Sequence, residues 1–301
     1  MNFPFYIARK YFFSAKKINY VHILSLVSQF GIAVGTIALV LVMSVFNGFE
    51  NLVLDMYNVF DPHIKITSNK GVNFDSDQAN KVIGDIESVA CFSSVLEEKI
   101  LVEYNSKQYI AILKGVDANY RELTNFDSLL VDGDYVDDFK SNNVAVVGRG
   151  IAYYLSMHLG SVFDNLRIYL PNRDSKNLLN LEKAFTSSSI SPVGVFGVQQ
   201  EIDSKYIIVP LNFVQDLINR DKYVSAIEVK LKSPKSMIDI QNLLNEKLGS
   251  QYLIQNRFEQ QEFLYKILNT ERLVVVIILL FIVLIASFNI ISSLIILIID
   301  K

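Results

Sequence analysis

Two long runs without a charged residue constrain this chain more than any other feature. The first extends from Ile18 to Phe49 and the second from Leu273 to Ile299, and neither contains Asp, Glu, Lys or Arg. About 20 apolar residues are enough for a helix to cross a bilayer. We therefore expect two transmembrane helices, at residues 23–47 and 268–299. A single soluble globule and a disordered chain are both excluded.

The basic residues predict how the chain is oriented in the membrane. The first 22 residues contain no acid and four basic residues: Arg9, Lys10, Lys16 and Lys17. Basic residues that flank a span stay on the cytoplasmic side. This places the N-terminus and residues 300–301 in the cytoplasm and residues 48–267 outside it. Aromatic residues mixed with basic ones in residues 1–22 predict an interfacial helix on the inner membrane surface, with a frayed terminus as the alternative.

Several classes of chemistry are excluded by residue counts and motifs. The single cysteine, Cys91, excludes an internal disulfide. The three histidines lie far apart in sequence, which excludes a Cys/His zinc cluster. The chain has neither a phosphate-binding P-loop nor a G-x-S-x-G motif. We expect no enzyme activity, no metal and no cofactor, so that another chain must bind any ATP that drives it.

The sequence pattern of residues 48–267 predicts an α+β domain. Alternating patterns predict strands at 63–68, 93–104, 108–115, 143–148, 163–170, 190–196, 205–209, 224–231 and 252–255. Helical spacing predicts helices at 76–86, 150–158, 211–219 and 233–248. Because the late pattern mirrors the early one, we expect a first subdomain from residues 48–125 with 199–258. Residues 126–198 would form an inserted second subdomain, and the polar residues 172–189 a loop within it.

Small and polar residues within the two apolar runs indicate helix packing. Gly31 and Gly35 form a G-x-x-x-G stripe, which permits close approach of another helix unless the stripe faces lipid. Asn289 lies inside the second run, where its amide needs a partner on a neighbouring helix. The polar segment Glu259–Glu271 is compatible with a helical stalk that continues the second span outward.

Five segments together resemble the lipoprotein-releasing (Lol-type) ABC transporter permeases, within the superfamily of MacB-like and FtsX-like permeases. In chain order they are Phe30–Glu50, which ends in Asn47-Gly48-Phe49-Glu50; Asp61-Pro62-His63-Ile64-Lys65-Ile66; Val146–Ala152 with Leu159-Gly160; Val193–Phe196 followed by Glu201-Ile202-Asp203; and Ala286–Leu294. The resemblance covers nearly the whole chain. It implies two transmembrane helices flanking a large MacB-like periplasmic domain in the bacterial inner membrane.

The resemblance also implies an activity and its partners. The family extracts lipoproteins from the outer leaflet and passes them to a periplasmic lipoprotein carrier. Its permeases have four spans and a cytoplasmic coupling helix after the second. Two permeases, either two copies or a pair of paralogues, bind an ABC ATPase dimer. No feature of the sequence indicates binding to nucleic acid. Because this chain ends before the coupling helix, we expect it to be the N-terminal part of a longer permease.

Two groups of site residues follow from this resemblance. Withdrawing acyl chains from lipid costs about 0.8 kcal/mol per CH₂ group, so an apolar cradle has to replace the lipid. The candidates lie where the first span leaves the membrane: Met43, Phe46, Phe49, Val53 and Met56. Their alternative is packing against the second span or the domain. The family's carrier-recruiting loop corresponds in position to a polar stretch, with Pro171, Asn172, Arg173, Lys176 and Lys183 as candidates and an ordinary solvated loop as the alternative.

Three other functions fit parts of the pattern. A MacB-like exporter of small molecules or peptides shares the outer domain. An FtsX-like regulator of cell-wall hydrolases shares the topology, although its outer domain is usually much smaller. A two-span anchored sensor fits the chain as it stands.

Overall fold

A computed structural model describes residues 3, 6–7, 20–58, 60–71, 73–133, 143–159, 165–171 and 185–299. Two compact units make up the chain. One consists of Met1–Val53 with Phe263–Lys301, and the other of Leu54–Glu262. Most of the predicted interfacial helix at residues 1–22 lies outside the described residues.

The described elements are as follows. The helices are α1 (Tyr20–Asn58), α2 (Asp77–Gly84), α3 (Tyr120–Thr124), α4 (Arg149–Leu155), α5 (Gln200–Asp203), α6 (Leu211–Ile218), α7 (Met237–Leu248), α8 (Arg257–Gln260) and α9 (Glu262–Ile299). The strands are β1 (Ile64–Ser68), β2 (Phe74–Asp75), β3 (Val89–Tyr104), β4 (Lys107–Val116), β5 (Leu130–Gly133), β6 (Val144–Gly148), β7 (Leu166–Pro171), β8 (Phe185–Phe196), β9 (Tyr206–Pro210), β10 (Tyr223–Val224), β11 (Ala226–Leu231) and β12 (Tyr252–Asn256). Short 3₁₀ helices occupy Phe126–Leu129 and Pro234–Ser236.

The first unit contains the two long helices that the charge-free runs predict. Within α1, Gln29–Glu50 has a mean hydropathy of 2.2, and within α9, Glu262–Phe288 reaches 2.7. Both segments are long and apolar enough to cross a membrane. Most of their large apolar side chains are exposed, which is the arrangement expected of side chains that face lipid.

The second unit is built around one large mixed sheet. Its strands follow the order β12-β1-β11-β3-β4-β9-β6-β8-β5. The long strand β3 pairs with β11 through its first half and with β7 through its second half. Since β7 also pairs with β8, the strands β3, β4, β9, β6, β8 and β7 close into a ring.

Three apolar clusters fill the domain. The first is shared by the closed ring with α4 and α6. The second lies between the outer strands β1, β11 and β12 and the helices α2 and α7. The third joins the opposite face of the central strands to Phe60, α3 and the first 3₁₀ helix. The central strands are therefore covered on both faces.

The strand and helix predictions are confirmed at most positions, with three differences. Strand β8 begins at Phe185, inside the polar stretch predicted as loop, because its first residues pair with β7. The predicted stalk is interrupted, since α8 ends at Gln260 and α9 begins at Glu262. The predicted subdomain boundary at residues 198–199 separates two strands that belong to one sheet, because β9 pairs with both β4 and β6.

A close backbone contact joins two of the segments that carry the family resemblance. A β-carbon added at Gly148 would collide with the carbonyl oxygen of Asp203. The Asp203 carboxylate accepts a hydrogen bond from the Val198 N–H at 2.7 Å and lies 3.6 Å from the Arg149 guanidinium. Glycine at position 148 is therefore required for α5 to pack against the end of β6.

We predict that Gly148→Ala destabilises the full chain in detergent by about 1–3 kcal/mol, the usual cost of overpacking a well-filled contact. Urea unfolding of the two chains measures the difference. Gly84→Ala is the matched control, because the nearest side-chain atom to its added β-carbon is 4.0 Å away. Equal stability of the two variants would contradict the prediction.

Candidate functional site

The proposed acyl cradle falls on α1, whose described side chains divide into two groups. Met43 and Phe46 are half-buried and share a stripe with Leu39, whereas Phe49 is 56% exposed. Val53 and Met56 lie on the same helix, but their side chains are outside the described part of the chain. Met43 and Phe46 are thus neighbours on one face, and their role in lipid contact stays a prediction.

The predicted glycine stripe has one close neighbour across the helix pair. A β-carbon added at Gly35 would lie 3.9 Å from Cγ2 of Ile282 in α9. Around Gly31, no described atom comes within 4 Å of such a carbon. The Asn289 side chain is outside the described residues. Within this unit, α1 and α9 meet at Gly35, which is ordinary van der Waals packing.

The proposed carrier loop connects β7 to β8. Pro171 is the last residue of β7 and pairs with Phe185 at the start of β8. Asn172, Arg173, Lys176 and Lys183 lie outside the described residues. In the sequence, the loop candidates after Pro171 therefore lie between two strands that pair with each other, and their function stays a prediction.

A buried charge network in the second unit was not predicted from the sequence. Lys114 is 2% exposed, and its ammonium lies 2.8 Å from Glu228 and 3.7 Å from Glu97. Glu97 is the register partner of Lys114 across β3 and β4. Glu228 in β11 is also buried. A buried cation needs such partners, because leaving it uncompensated costs several kcal/mol.

Aromatic rings enclose the ammonium of Lys114. Its Nζ lies 4.6 Å from the ring centroid of Phe60, 5.0 Å from that of Tyr120 and 5.8 Å from that of Tyr206. These distances are within the range of cation–π attraction. Burial on its own lowers the pKa of Lys114, but Glu228 and Glu97 outweigh it and raise the pKa well above its usual value. Lys114 is therefore charged near pH 7.

His63 directly precedes β1 in the chain. Its Nδ1 accepts a hydrogen bond from the Leu231 N–H at 3.0 Å, which requires the neutral ring with its proton on Nε2. Burial, and then the positive charges of Arg257 and Lys230, lower the pKa of His63 to about 4. His63 is thus a neutral structural acceptor and not a proton donor near pH 7.

The comparisons with known proteins agree with this architecture. A family model described as the MacB-like periplasmic core domain matches residues 25–247. The chain therefore belongs to the family of membrane proteins with a MacB-like periplasmic core domain.

The chain is also similar to individual proteins of known name. The chain is 24% identical over 299 residues to the lipoprotein-releasing system transmembrane protein LolC of Buchnera aphidicola, covering 98% of this chain and 72% of that protein. It is 25% identical over 310 residues to LolE of Haemophilus influenzae, covering 100% and 72%. The periplasmic region of MacB from Actinobacillus actinomycetemcomitans superposes with a TM-score of 0.47 at 14% identity, covering 67% of this chain and 92% of that one. The resemblance to lipoprotein-releasing permeases is confirmed.

We predict that the stability of the wild-type chain falls as the pH is lowered from about 6.5 to about 4. The unfolded chain binds a proton at His63 in this window and the folded chain does not. His63→Asn keeps an acceptor near the position of Nδ1 and removes the titration, so its stability should fall less over the same window. Urea midpoints at several pH values measure both slopes.

His158→Asn is the matched control, because His158 is exposed. This variant should keep the wild-type slope. An unchanged slope in His63→Asn would mean that His63 is not neutral in the folded chain.

Proposed function

We propose that the chain is a permease subunit of an ABC transporter that extracts lipoproteins from the outer leaflet of the bacterial inner membrane. It passes them to a periplasmic carrier, and a separate ATPase dimer supplies the energy. The observation that carries this proposal is the similarity to LolC and LolE over 98–100% of the chain, which includes both apolar helices as well as the domain between them.

The proposed topology follows from the basic N-terminal segment. Residues 1–22 and 300–301 lie in the cytoplasm, and the domain lies in the periplasm. The permease acts as a pair, with a second copy or a paralogue. It needs no ATP site of its own, because the partner subunit binds the nucleotide.

The physical work of such a permease is moving acyl chains out of lipid. At about 0.8 kcal/mol per CH₂ group, a bare anchor in water would cost tens of kcal/mol. Met43 and Phe46 offer an apolar surface on α1 that reduces this cost. Methionine suits acyl chains of different shapes because it is unbranched and flexible.

A MacB-like exporter is the second candidate, favoured by the match to the MacB-like periplasmic core domain. It would export small molecules or peptides, and it would require an adaptor rather than a lipoprotein carrier. Depletion of the protein separates the two candidates. Lipoproteins that accumulate in the inner membrane support the first function, whereas normal lipoprotein sorting supports the second.

We predict that Phe46→Glu and Met43→Glu abolish lipoprotein release while the variant permease still assembles with its ATPase. A carboxylate on this stripe repels acyl chains and needs hydration that the cradle does not supply. The measurement is ATP-dependent release from proteoliposomes to the carrier, together with co-purification of the ATPase.

Phe46→Leu and Val45→Leu are the controls, since both keep an apolar side chain on α1. They should release lipoprotein at close to the wild-type rate. Normal release by both glutamate variants would remove the cradle from the proposal.

We also predict that photo-crosslinking probes placed from Asn172 to Lys183 capture the carrier protein. Residues 172–183 are mostly polar in sequence, and the strands that precede and follow them in the chain, β7 and β8, are paired. Probes at Lys232 and Lys235, which are exposed elsewhere on the domain, serve as controls. Capture at the control positions alone would place the carrier site elsewhere.

A further inference from the structure

Two short segments connect the domain to the long helices. We call residues 60–63 the entry connector, because they follow α1 and lead into β1. We call residues 256–261 the exit connector, because they extend from the last residue of β12 through α8 and lead into α9. Both connectors belong to the compact unit Leu54–Glu262.

The two connectors lie side by side because β1 and β12 are antiparallel neighbours. Their register pairs Ile64 with Asn256, the first residue of β1 with the last residue of β12. The chain therefore enters and leaves the sheet at the same place. Any movement of one connector away from the other must break contacts at this point.

Hydrogen bonds from the exit connector reach all three peptide carbonyls of residues 61–63. The Arg257 guanidinium donates to the carbonyl of Asp61 at 2.8 Å, and its backbone N–H donates to the carbonyl of His63 at 3.1 Å. The Gln260 amide donates to the carbonyl of Pro62 at 3.4 Å. The Gln261 amide donates to the Asp61 carboxylate at 2.9 Å. These bonds tie one connector to the other.

The entry connector is also anchored in the core. Phe60 is 5% exposed and belongs to the third apolar cluster. Its ring centroid lies 5.3 Å from that of Tyr206 and 4.6 Å from the ammonium of Lys114. Because Lys114 is held by Glu228 at 2.8 Å, Phe60 is fixed to the central strands only two residues after the end of α1.

The exit connector is anchored on its other side by α7. Asn256 and Glu259 form a reciprocal capping box that fixes the turn from β12 into α8. From α7, Gln241 donates to the Glu259 carboxylate at 2.6 Å, and its amide oxygen accepts from Asn256 at 2.8 Å. Gln241 and Asn256 are both buried. Polar groups that are buried and fully paired in this way rigidify a structure.

We propose that the entry and exit connectors form one rigid joint, through which displacement of the two long helices passes into the sheet. Phe60 and Arg257 are its positioning residues. The inference rests on the proposed transport function, because it states how movement of the long helices during transport is transmitted to the domain. A linker that moved freely would leave its carbonyls to water, whereas all three carbonyls of residues 61–63 are bound by the opposite connector.

The first test uses Phe60→Ala and Arg257→Gln in the full permease assembled with its ATPase. Both should keep assembly and ATP hydrolysis while lipoprotein release per ATP falls about tenfold, within the range of measured coupling energies. Ile238→Ala and Lys247→Gln are matched controls, because they make similar changes at exposed positions of α7. Wild-type release per ATP in both test variants would overturn the joint.

A chemical rescue separates positioning from simple loss of stability. In a Cys91→Ser background, Asp61→Cys with Gln261→Cys removes one contact between the connectors. Release should be low when the thiols are free, and should recover when a short bis-methanethiosulfonate reagent links them. No recovery in the linked permease would overturn the joint, because linking restores the connection without restoring the original hydrogen bond.

A measurement without lipoprotein keeps this inference distinct from the proposed function. Hydrogen exchange of β1 and β12 is compared with and without a non-hydrolysable ATP analogue bound to the complex. The wild-type protein should show a nucleotide-dependent change in these strands, and Phe60→Ala should lose it. A wild-type complex that releases no lipoprotein but shows this change disproves the transport function alone, whereas equal changes in both proteins disprove the joint.

Discussion

Antiparallel pairing of β1 with β12 is the constraint on which the rest of the structure depends. The first and last residues of a domain inserted between two spans both lead towards a long helix. In this domain the first and last strands of the chain, β1 and β12, are neighbours in the sheet, with Ile64 opposite Asn256. Strand β1 is also held on its other side by β11. The chain ends of the domain are therefore part of the sheet and not loose extensions of it.

The buried charges around Lys114 make sense in relation to this constraint. Replacing a buried ion pair by apolar residues is often neutral or stabilising, so stability alone does not account for Lys114 and Glu228. Their position does, because the ammonium faces the ring of Phe60, which lies two residues after the end of α1 in the chain. The same network reaches Asp61, whose pKa is raised by burial against the opposing effect of the Gln261 amide. The charges thus lie at the attachment point of α1.

Sequence patterns predicted the parts of the fold that depend on local chemistry. Alternation predicts strands at 93–104 and 108–115, and the structure pairs β3 with β4 as a hairpin in which Asn105 and Ser106 both have positive φ. Alternation failed for Lys114 and Glu228, because a lone charge in an apolar strand normally faces solvent. In the folded domain that face is covered by Phe60, Tyr120 and Phe126, which no local pattern places there. The ring closure through β7 depended likewise on contacts between distant segments.

The candidate site residues also differ in whether local sequence patterns predict them. The apolar stripe of Met43 and Phe46 follows from helical spacing and the family resemblance, and both were available in the sequence. In the sequence, Gln260 and Gln261 fall within the predicted polar stalk Glu259–Glu271, and Arg257 lies just before it. Their role emerges only when β12 lies beside β1 and directs these side chains at the carbonyls of residues 61–63. The periodicity of a sequence does not predict a role that depends on contacts between distant segments of the chain.

The size of the transport work explains why the connectors need a sheet behind them. A hydrogen bond contributes about 1 kcal/mol, whereas moving an acyl chain of a dozen CH₂ groups from lipid to water costs on the order of 10 kcal/mol. If the few hydrogen bonds between the connectors alone had to withstand a force of this size, they would break one after another. Strand β1 spreads the same load over two ladders, to β11 and to β12, whose hydrogen bonds must shear together. A connector joined to a central pair of ladders, with Phe60 fixed in the core, can therefore transmit a displacement that isolated side-chain contacts could not.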